Sequence, residues 1–197
     1  HMGARVIAES SYMIGAPNDA QAISLHDFEL QAPVSGEIET ETLARLFEGD
    51  FQVRVTELDG WLTLNAHLPP KEKRGIVLVD PPFEKEGEYE RLVDGLAKAH
   101  RRFGNGVFCL WYPIKKGAPI KEFHEALQAL EIPKMLCAEL HVKSDRDQTG
   151  LSGTGLIVVN PPFTLKDEMH LALPELKRLM AQDRYASHRC FWLRGED

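Results

Sequence analysis

The 197-residue chain reads as one α/β domain built on a doubly wound sheet. Three observations predict this. Ile76–Val79 and Val107–Tyr112 are short aliphatic and aromatic runs with the character of strands buried on both faces of a parallel sheet. Segments with apolar residues at helical spacing, Glu88–Arg102 foremost, alternate with such runs. Asp80-Pro81-Pro82 and Trp111-Tyr112-Pro113 end the two runs, because proline cannot donate to a ladder. That sets them at the C-terminal edge of the sheet, where open α/β folds bind ligands.

Taken in order, His1-Met2 has the look of a cloning remnant and is set aside. Gly3–Ile14 carries Val6, Ile7, Tyr12 and Met13 at helical spacing, and Gly15–Asp19 is a turn. Ala22–Phe28 reads as a strand ending at Asp27 and Glu29. An acid at that point of a nucleotide-binding unit bonds ribose hydroxyls, and a plain solvated acid is an equal reading. Glu37–Phe47 is a helix closing at Gly49. Phe51–Glu57 alternates as a strand does, and Asp59-Gly60-Trp61 follows it directly. Asp59 could accept from an adenine amino group, with Trp61 or Leu62 walling the ring. Equally, it could cap the short helix Gly60–His67.

Beyond the Ile76–Val79 strand, Glu88–Arg102 presents Tyr89, Leu92, Leu96 and Ala99 on one helical face. Gly104-Asn105-Gly106 turns the chain into Val107–Tyr112. Ile120–Leu130 is an amphipathic helix, Met135–Val142 a strand, Ser144–Gly153 a polar turn and Thr154–Val159 a strand. Leu165–Met180 is helical, with Pro174 expected to kink or divide it. His188–Leu193 is a last short strand.

Composition excludes several classes. At 43% hydrophobic and 27% charged, the chain is an ordinary globular domain, with no apolar run of membrane-spanning length. A net charge of −7 argues against a protein that grips nucleic acid chiefly by neutralising phosphates. Two local basic clusters, Lys71/Lys73/Arg74 and Arg101-Arg102, each read as solvated faces when taken alone. Cys109, Cys137 and Cys190 have no metal-type spacing and fit buried free thiols in a reducing cytoplasm, with no metal site expected.

Asp80-Pro81-Pro82-Phe83 carries the chemistry. An exocyclic amine is a poor nucleophile because its lone pair is delocalised into the ring. The Asp80 carboxylate and the Pro81 carbonyl are both acceptors and can bond the two amine hydrogens. This draws the nitrogen towards tetrahedral geometry and frees the lone pair for methyl transfer. Phe83 is expected to stack on the extracted base. An ordinary strand exit with a rigid turn is the bland alternative. Asn160-Pro161-Pro162-Phe163 is a second match, since Asn also offers an oxygen acceptor. Only 34 residues follow Phe163, against 114 after Phe83, so the first copy fits a mid-sheet edge and the second a late hairpin strand. Asp80 is the expected site.

Lys71–Lys85, Leu110–Pro113 and Leu151–Phe163 together resemble the bacterial 23S ribosomal RNA adenine N6-methyltransferase family, RlmJ. The resemblance runs over nearly the whole chain. It implies a Rossmann-like class I fold, S-adenosylmethionine as methyl donor, and methylation of one adenine amine in ribosomal RNA. Residues 3–197 are then a methyltransferase domain incomplete at its N-terminus, with Asp80, Pro81, Pro82 and Phe83 catalytic. Asp59 and Gly60 would meet the cofactor adenine, and Asp27 or Glu29 its ribose. The family's first strand, with its glycine-rich Asp-x-His-Ala-Gly-x-Gly loop, has no counterpart here. The central slot it occupies must stay open, be filled another way, or be completed by a partner copy in a homodimer. Full activity is therefore expected of the full-length parent rather than of this chain alone. A non-catalytic α/β module for RNA or protein binding, and an amine methyltransferase acting on DNA or protein glutamine, remain the competing readings.

Overall fold

A computed structural model describes residues 4–7, 11–15, 44–49, 53–56, 60–71, 73–81, 83, 86–144 and 150–195. The strands are β1 (Ala4–Ile7), β2 (Ser11–Gly15), β3 (Val53–Thr56), β4 (Gly75–Val79), β5 (Val107–Lys115), β6 (Met135–His141), β7 (Leu151–Val159) and β8 (Ser187–Arg194). The helices are α1 (Gly60–His67), α2 (Glu88–Arg102), α3 (Ile120–Ala129) and α4 (Leu165–Met180). The strands form one mixed sheet in the order β3-β1-β2-β4-β5-β7-β6-β8. Strands β4 and β5 are parallel, as are β1 and β3, and the β2–β4, β5–β7, β6–β7 and β6–β8 pairs are antiparallel.

The N-terminal segment corrects the helical reading of Gly3–Ile14. Residues 4–7 and 11–15 are antiparallel strands, and β2 pairs with β4 from Ser11↔Val79 to Gly15↔Gly75. Without it, the β4 edge would leave backbone donors and acceptors unpaired in mid-sheet. The slot beside β4 is thus filled by a strand running against it. The expected strand Ala22–Phe28, with Asp27 and Glu29, lies outside the described residues, as does most of Glu37–Phe47. Residues 44–46 are helical, and Gly49 takes a positive φ of 86° after them.

One face of the sheet carries the main core. Leu64 of α1, Leu92, Leu96 and Ala99 of α2, and Phe123 and Leu127 of α3 pack in one cluster with Val77, Val79, Phe108 and Leu110 of the sheet. Each of the Leu, Val and Phe side chains among them contributes about 1.5–3 kcal/mol by leaving water. The helix α2 has the bounds and the buried face that its periodicity predicts. On the other face, Leu173 of α4 closes a smaller cluster with Ala138 and Leu140 of β6. Helix α4 runs undivided through Pro174. Residues 170 and 174 are both exposed, so the carbonyl that loses its bond is left to water.

Two further expectations change. Strand β4 is not buried on both faces: Val77 and Val79 are buried, but Ile76 is 42% exposed and Leu78 only half-buried. Among the described residues, no helix packs over that second face of β4. Strand β5 runs on past Tyr112 through Pro113 to Lys115. Its neighbour β4 ends at Val79, opposite Leu110, so Pro113 stands where β5 pairs on one side only.

Candidate active site

The C-terminal ends of β1, β3, β4 and β5 share one edge of the sheet, because these four strands run the same way. Asp80 follows Val79 at that edge, next to Trp111 on β5. Its side chain is open to solvent, while partial desolvation pushes its carboxyl pKa above the ordinary aspartate value. Pro81 behind it is buried. Pro82 lies outside the described residues.

Phe83 is buried at the end of this loop. It is 8% exposed, and its ring packs against Tyr89 at 4.9 Å and edge-on to Trp111 at 5.9 Å between centroids. In this arrangement the ring anchors the loop to the core instead of offering a face to a base. Its φ of 55° is the left-handed conformation, uncommon for an aromatic residue. The Tyr89 hydroxyl donates to the Pro113 carbonyl at 2.7 Å, tying α2 to β5 behind the loop. Lys115 Nζ reaches the Phe83 carbonyl at 3.5 Å. Trp111, which the sequence places at the C-terminal edge of β5, is one of the partners that hold Phe83 in.

Strand β3 ends at Thr56 and α1 begins at Gly60 on this same edge. Gly60 is buried, and Asp59 lies outside the described residues. The Trp61 ring lies over Gly95 of α2, where an added Cβ would come within 2.5 Å of it. This close helix–helix approach claims Trp61 for packing. It lines a groove of about 190 Å³ with Leu62, Arg91 and Lys98, and Leu62 remains 65% exposed there.

Sequence reasoning missed a buried polar network. Tyr112 on β5 lies across Gly155 of β7, where a Cβ would come within 2.0 Å of the ring. Only a residue without a side chain leaves room for it. The Tyr112 hydroxyl thereby reaches Glu139 of β6 at 2.7 Å, His124 Nε2 of α3 at 2.9 Å and Cys137 Sγ at 3.4 Å. Arg189 of β8 donates to the other Glu139 oxygen, and His141 Nε2 stands 3.6 Å from it. Burial alone would raise the Glu139 pKa, but hydrogen bonds from His141, Arg189 and Tyr112 outweigh it and hold it at about 2. The signal available in the sequence was Gly153 and Gly155, alternating inside what proves to be strand β7 rather than ending a turn.

His124, Cys137 and Glu139 bring donor atoms within 4.8 Å of one another, which invites a metal. Their polar atoms are already engaged with one another: Tyr112 contacts all three, and Arg189 donates to Glu139. The network is a self-satisfied strut between β5, β6, β8 and α3.

The two proline motifs separate cleanly. Strand β7 runs against β5, so Asn160 emerges at the opposite edge, beyond the Phe108↔Val159 pair. The Asn160 amide donates to the Gly104 and Gly106 carbonyls, both at 2.9 Å. Its nitrogen locks the α2–β5 turn, and Phe163 stands 97% exposed.

Residues 11–194 match the family described as ribosomal RNA large subunit methyltransferase D, RlmJ. The chain belongs to the RlmJ family. It is 36% identical over 165 residues to ribosomal RNA large subunit methyltransferase J of Escherichia coli strain K12, covering 84% of this chain and 59% of that protein. Against the Haemophilus influenzae protein of the same name, identity is 36% over 150 residues, or 76% of this chain and 53% of that one. The crystal structure of protein LPL1258 from Legionella pneumophila is similar with a TM-score of 0.71 at 32% identity, over 80% of this chain and 58% of that one. The chain thus spans a little over half the length of these RlmJ-type relatives. Among the described residues, no helix is long and apolar enough to cross a membrane.

Proposed function

We propose that this chain is the catalytic portion of an S-adenosylmethionine-dependent enzyme that methylates an adenine exocyclic amine in 23S ribosomal RNA. The observation that carries the reading is Asp80, at an edge where four parallel strands end, in a chain of the RlmJ family. That edge is the ligand-binding side of a Rossmann-like sheet. Strand β2 fills the place between β1 and β4, which keeps this edge continuous from β3 to β5.

Asp80 and the Pro81 carbonyl accept the two hydrogens of the adenine amine and turn its lone pair outward. A carboxyl whose pKa is raised by partial desolvation is also the better acceptor for the proton that the amine gives up. Buried Phe83 holds the loop, so the base must be walled by other groups at this edge. S-adenosylmethionine, when bound, supplies an electrophilic methyl group. Asp59 and Gly60 would hold its adenine, and Asp27 or Glu29 its ribose. The residue types fit such a group: acids to accept from hydroxyls and amine, and a buried glycine for close backbone approach.

Calorimetric titration of the 197-residue chain with S-adenosylmethionine tests this first. Micromolar binding that is lost in Asp59→Ala supports the reading. No binding moves the whole assignment to the longer relatives. The burial of Phe83 favours one alternative, a non-catalytic RNA- or protein-binding module that keeps the scaffold. Methyl transfer to ribosomal RNA that survives Asp80→Ala in a protein of full family length would remove Asp80 from catalysis.

A further inference from the structure

We infer that the edge of the sheet opposite Asp80 is a second RNA-binding surface, which grips backbone phosphates away from the methylated base. The inference rests on ribosomal RNA being the substrate. Its basis is a set of cations that the sequence scatters and the fold collects. Lys73 and Arg74 enter β4, and Arg101 and Arg102 end α2 just before β5. Lys134 enters β6, and Arg194 ends β8 beside Met135. All six belong to one edge because β4 and β5 start there, β7 ends there, and β6 and β8 run antiparallel to each other. Among the described residues, Glu131 is the counter-charge in the turn before β6, and Asp167 and Glu168 stand in the first turn of α4; in the sequence, Glu196 and Asp197 follow Arg194 closely.

Hydrogen bonds make this edge continuous. Asn105 Nδ2 donates to the Lys73 carbonyl at 3.0 Å, and Asn160 Nδ2 donates to the same turn at Gly104 and Gly106. The Asn160 N–H bonds the Lys134 carbonyl at 3.0 Å, and the Lys134 N–H bonds the Gly195 carbonyl at 2.7 Å. Five non-glycine residues among those described have positive φ, and four of them (Lys73, Glu131, Lys134 and Asn160) are at this edge. Left-handed backbone at such residues persists where surrounding contacts over-determine it. The cations therefore sit on pre-ordered turns, which lowers the entropy lost on binding a polyanion.

An aromatic completes the surface. Phe163 follows Pro161 and Pro162 and is 97% exposed. Nearby Trp192 is 38% exposed, with Lys166 Nζ 5.7 Å from its ring centroid. Basic groups that track a backbone beside exposed rings for unpaired bases are the chemistry of single-stranded RNA recognition. In a protein with net charge −7, such a cluster marks a localised contact rather than a general affinity for polyanions. The edge lies roughly 17 Å from Asp80, a β4-length away at about 3.3 Å per residue, so one folded RNA could meet both.

The test is fluorescence anisotropy of labelled 23S ribosomal RNA fragments with the 197-residue chain across a salt series. The triple variant Lys73→Gln/Arg74→Gln/Arg101→Gln should bind at least about tenfold more weakly, with a log–log salt slope shallower by about 2. Phe163→Ala should weaken binding about fivefold or more without changing that slope. Lys121→Gln, an exposed cation on α3, should leave binding unchanged. Equal affinity and slope in the triple variant, or no salt-dependent binding by the unaltered chain, overturns the inference. Displacement of the RNA by polyglutamate as readily as by unlabelled RNA also overturns it. Loss of methyl transfer with this binding intact would instead count against the proposed reaction alone.

Discussion

Asp80-Pro81-Pro82-Phe83 and Asn160-Pro161-Pro162-Phe163 differ in one residue of four, yet the fold exchanges the duties of their end residues. In the first, the polar group is open to solvent and the aromatic is buried between Tyr89 and Trp111. In the second, the polar side chain is spent on the Gly104 and Gly106 carbonyls, and the aromatic is 97% exposed. The cause is strand direction. Strand β4 runs with β5 and delivers its loop to the C-terminal edge; β7 runs against β5 and delivers its loop to the other. A motif of this kind becomes a site only through the edge it reaches. The amide of Asn160, with its donors engaged, serves structure, while the Asp80 carboxylate stays open to solvent.

The comparison can be broken at either aromatic or either polar residue. Phe83→Ala should cost the most, about 3–5 kcal/mol of unfolding free energy in a urea titration, because it empties a core position. Acid should expose a loss on the same side of the molecule. The pKa of Glu139 is held at about 2 against the usual 4.5, so the folded state binds the proton less readily than the unfolded one. Stability from Glu139 is then complete above pH 4.5 and is lost as the pH falls towards 2. Glu139→Gln should flatten the urea midpoint across that window, and an unchanged pH profile would remove Glu139 from the account.

Next in size, Asp80→Ala should lower methyl transfer by a protein of full family length by roughly 10²–10³-fold, the scale for losing one pre-placed polar group. Its urea midpoint should barely move. Asn160→Ala should do the reverse, costing about 1–3 kcal/mol of stability with turnover per folded molecule unchanged. If Asn160→Ala proved catalytic, or Asp80→Ala merely structural, the division between the two loops would fall. The smallest effect is expected for Phe163→Ala, within about 0.5 kcal/mol of the unaltered stability.

Much of the scaffold was legible. Helix α2 has the periodicity, bounds and buried face that its sequence announces, because a long amphipathic pattern admits one reading. Asp80 at a strand end followed from the aliphatic run and the two prolines. The N-terminal hairpin was not legible. A dozen residues with scattered apolar positions fit a helical turn as well as two short strands, and the open β4 edge decides between them. Strand β7 was read three residues short because Gly153 looks like turn chemistry when it is in fact clearance for neighbouring strands. The burial of Phe83 was invisible too, since nothing local distinguishes an aromatic that stacks on a base from one that plugs a core.

By itself, then, the sequence determined the alternation of strands and helices, the acceptor at the end of β4, and the kinship to RlmJ carried by its motifs. These are local properties: period, punctuation and the chemistry of adjacent residues. Tertiary structure decided which proline loop reaches the C-terminal edge of β4 and β5, which aromatic is buried, how Tyr112 reaches Glu139 across Gly155, and that cations far apart in the chain share one edge of the sheet. Each depends on strand direction and register, which are set by pairing between distant segments.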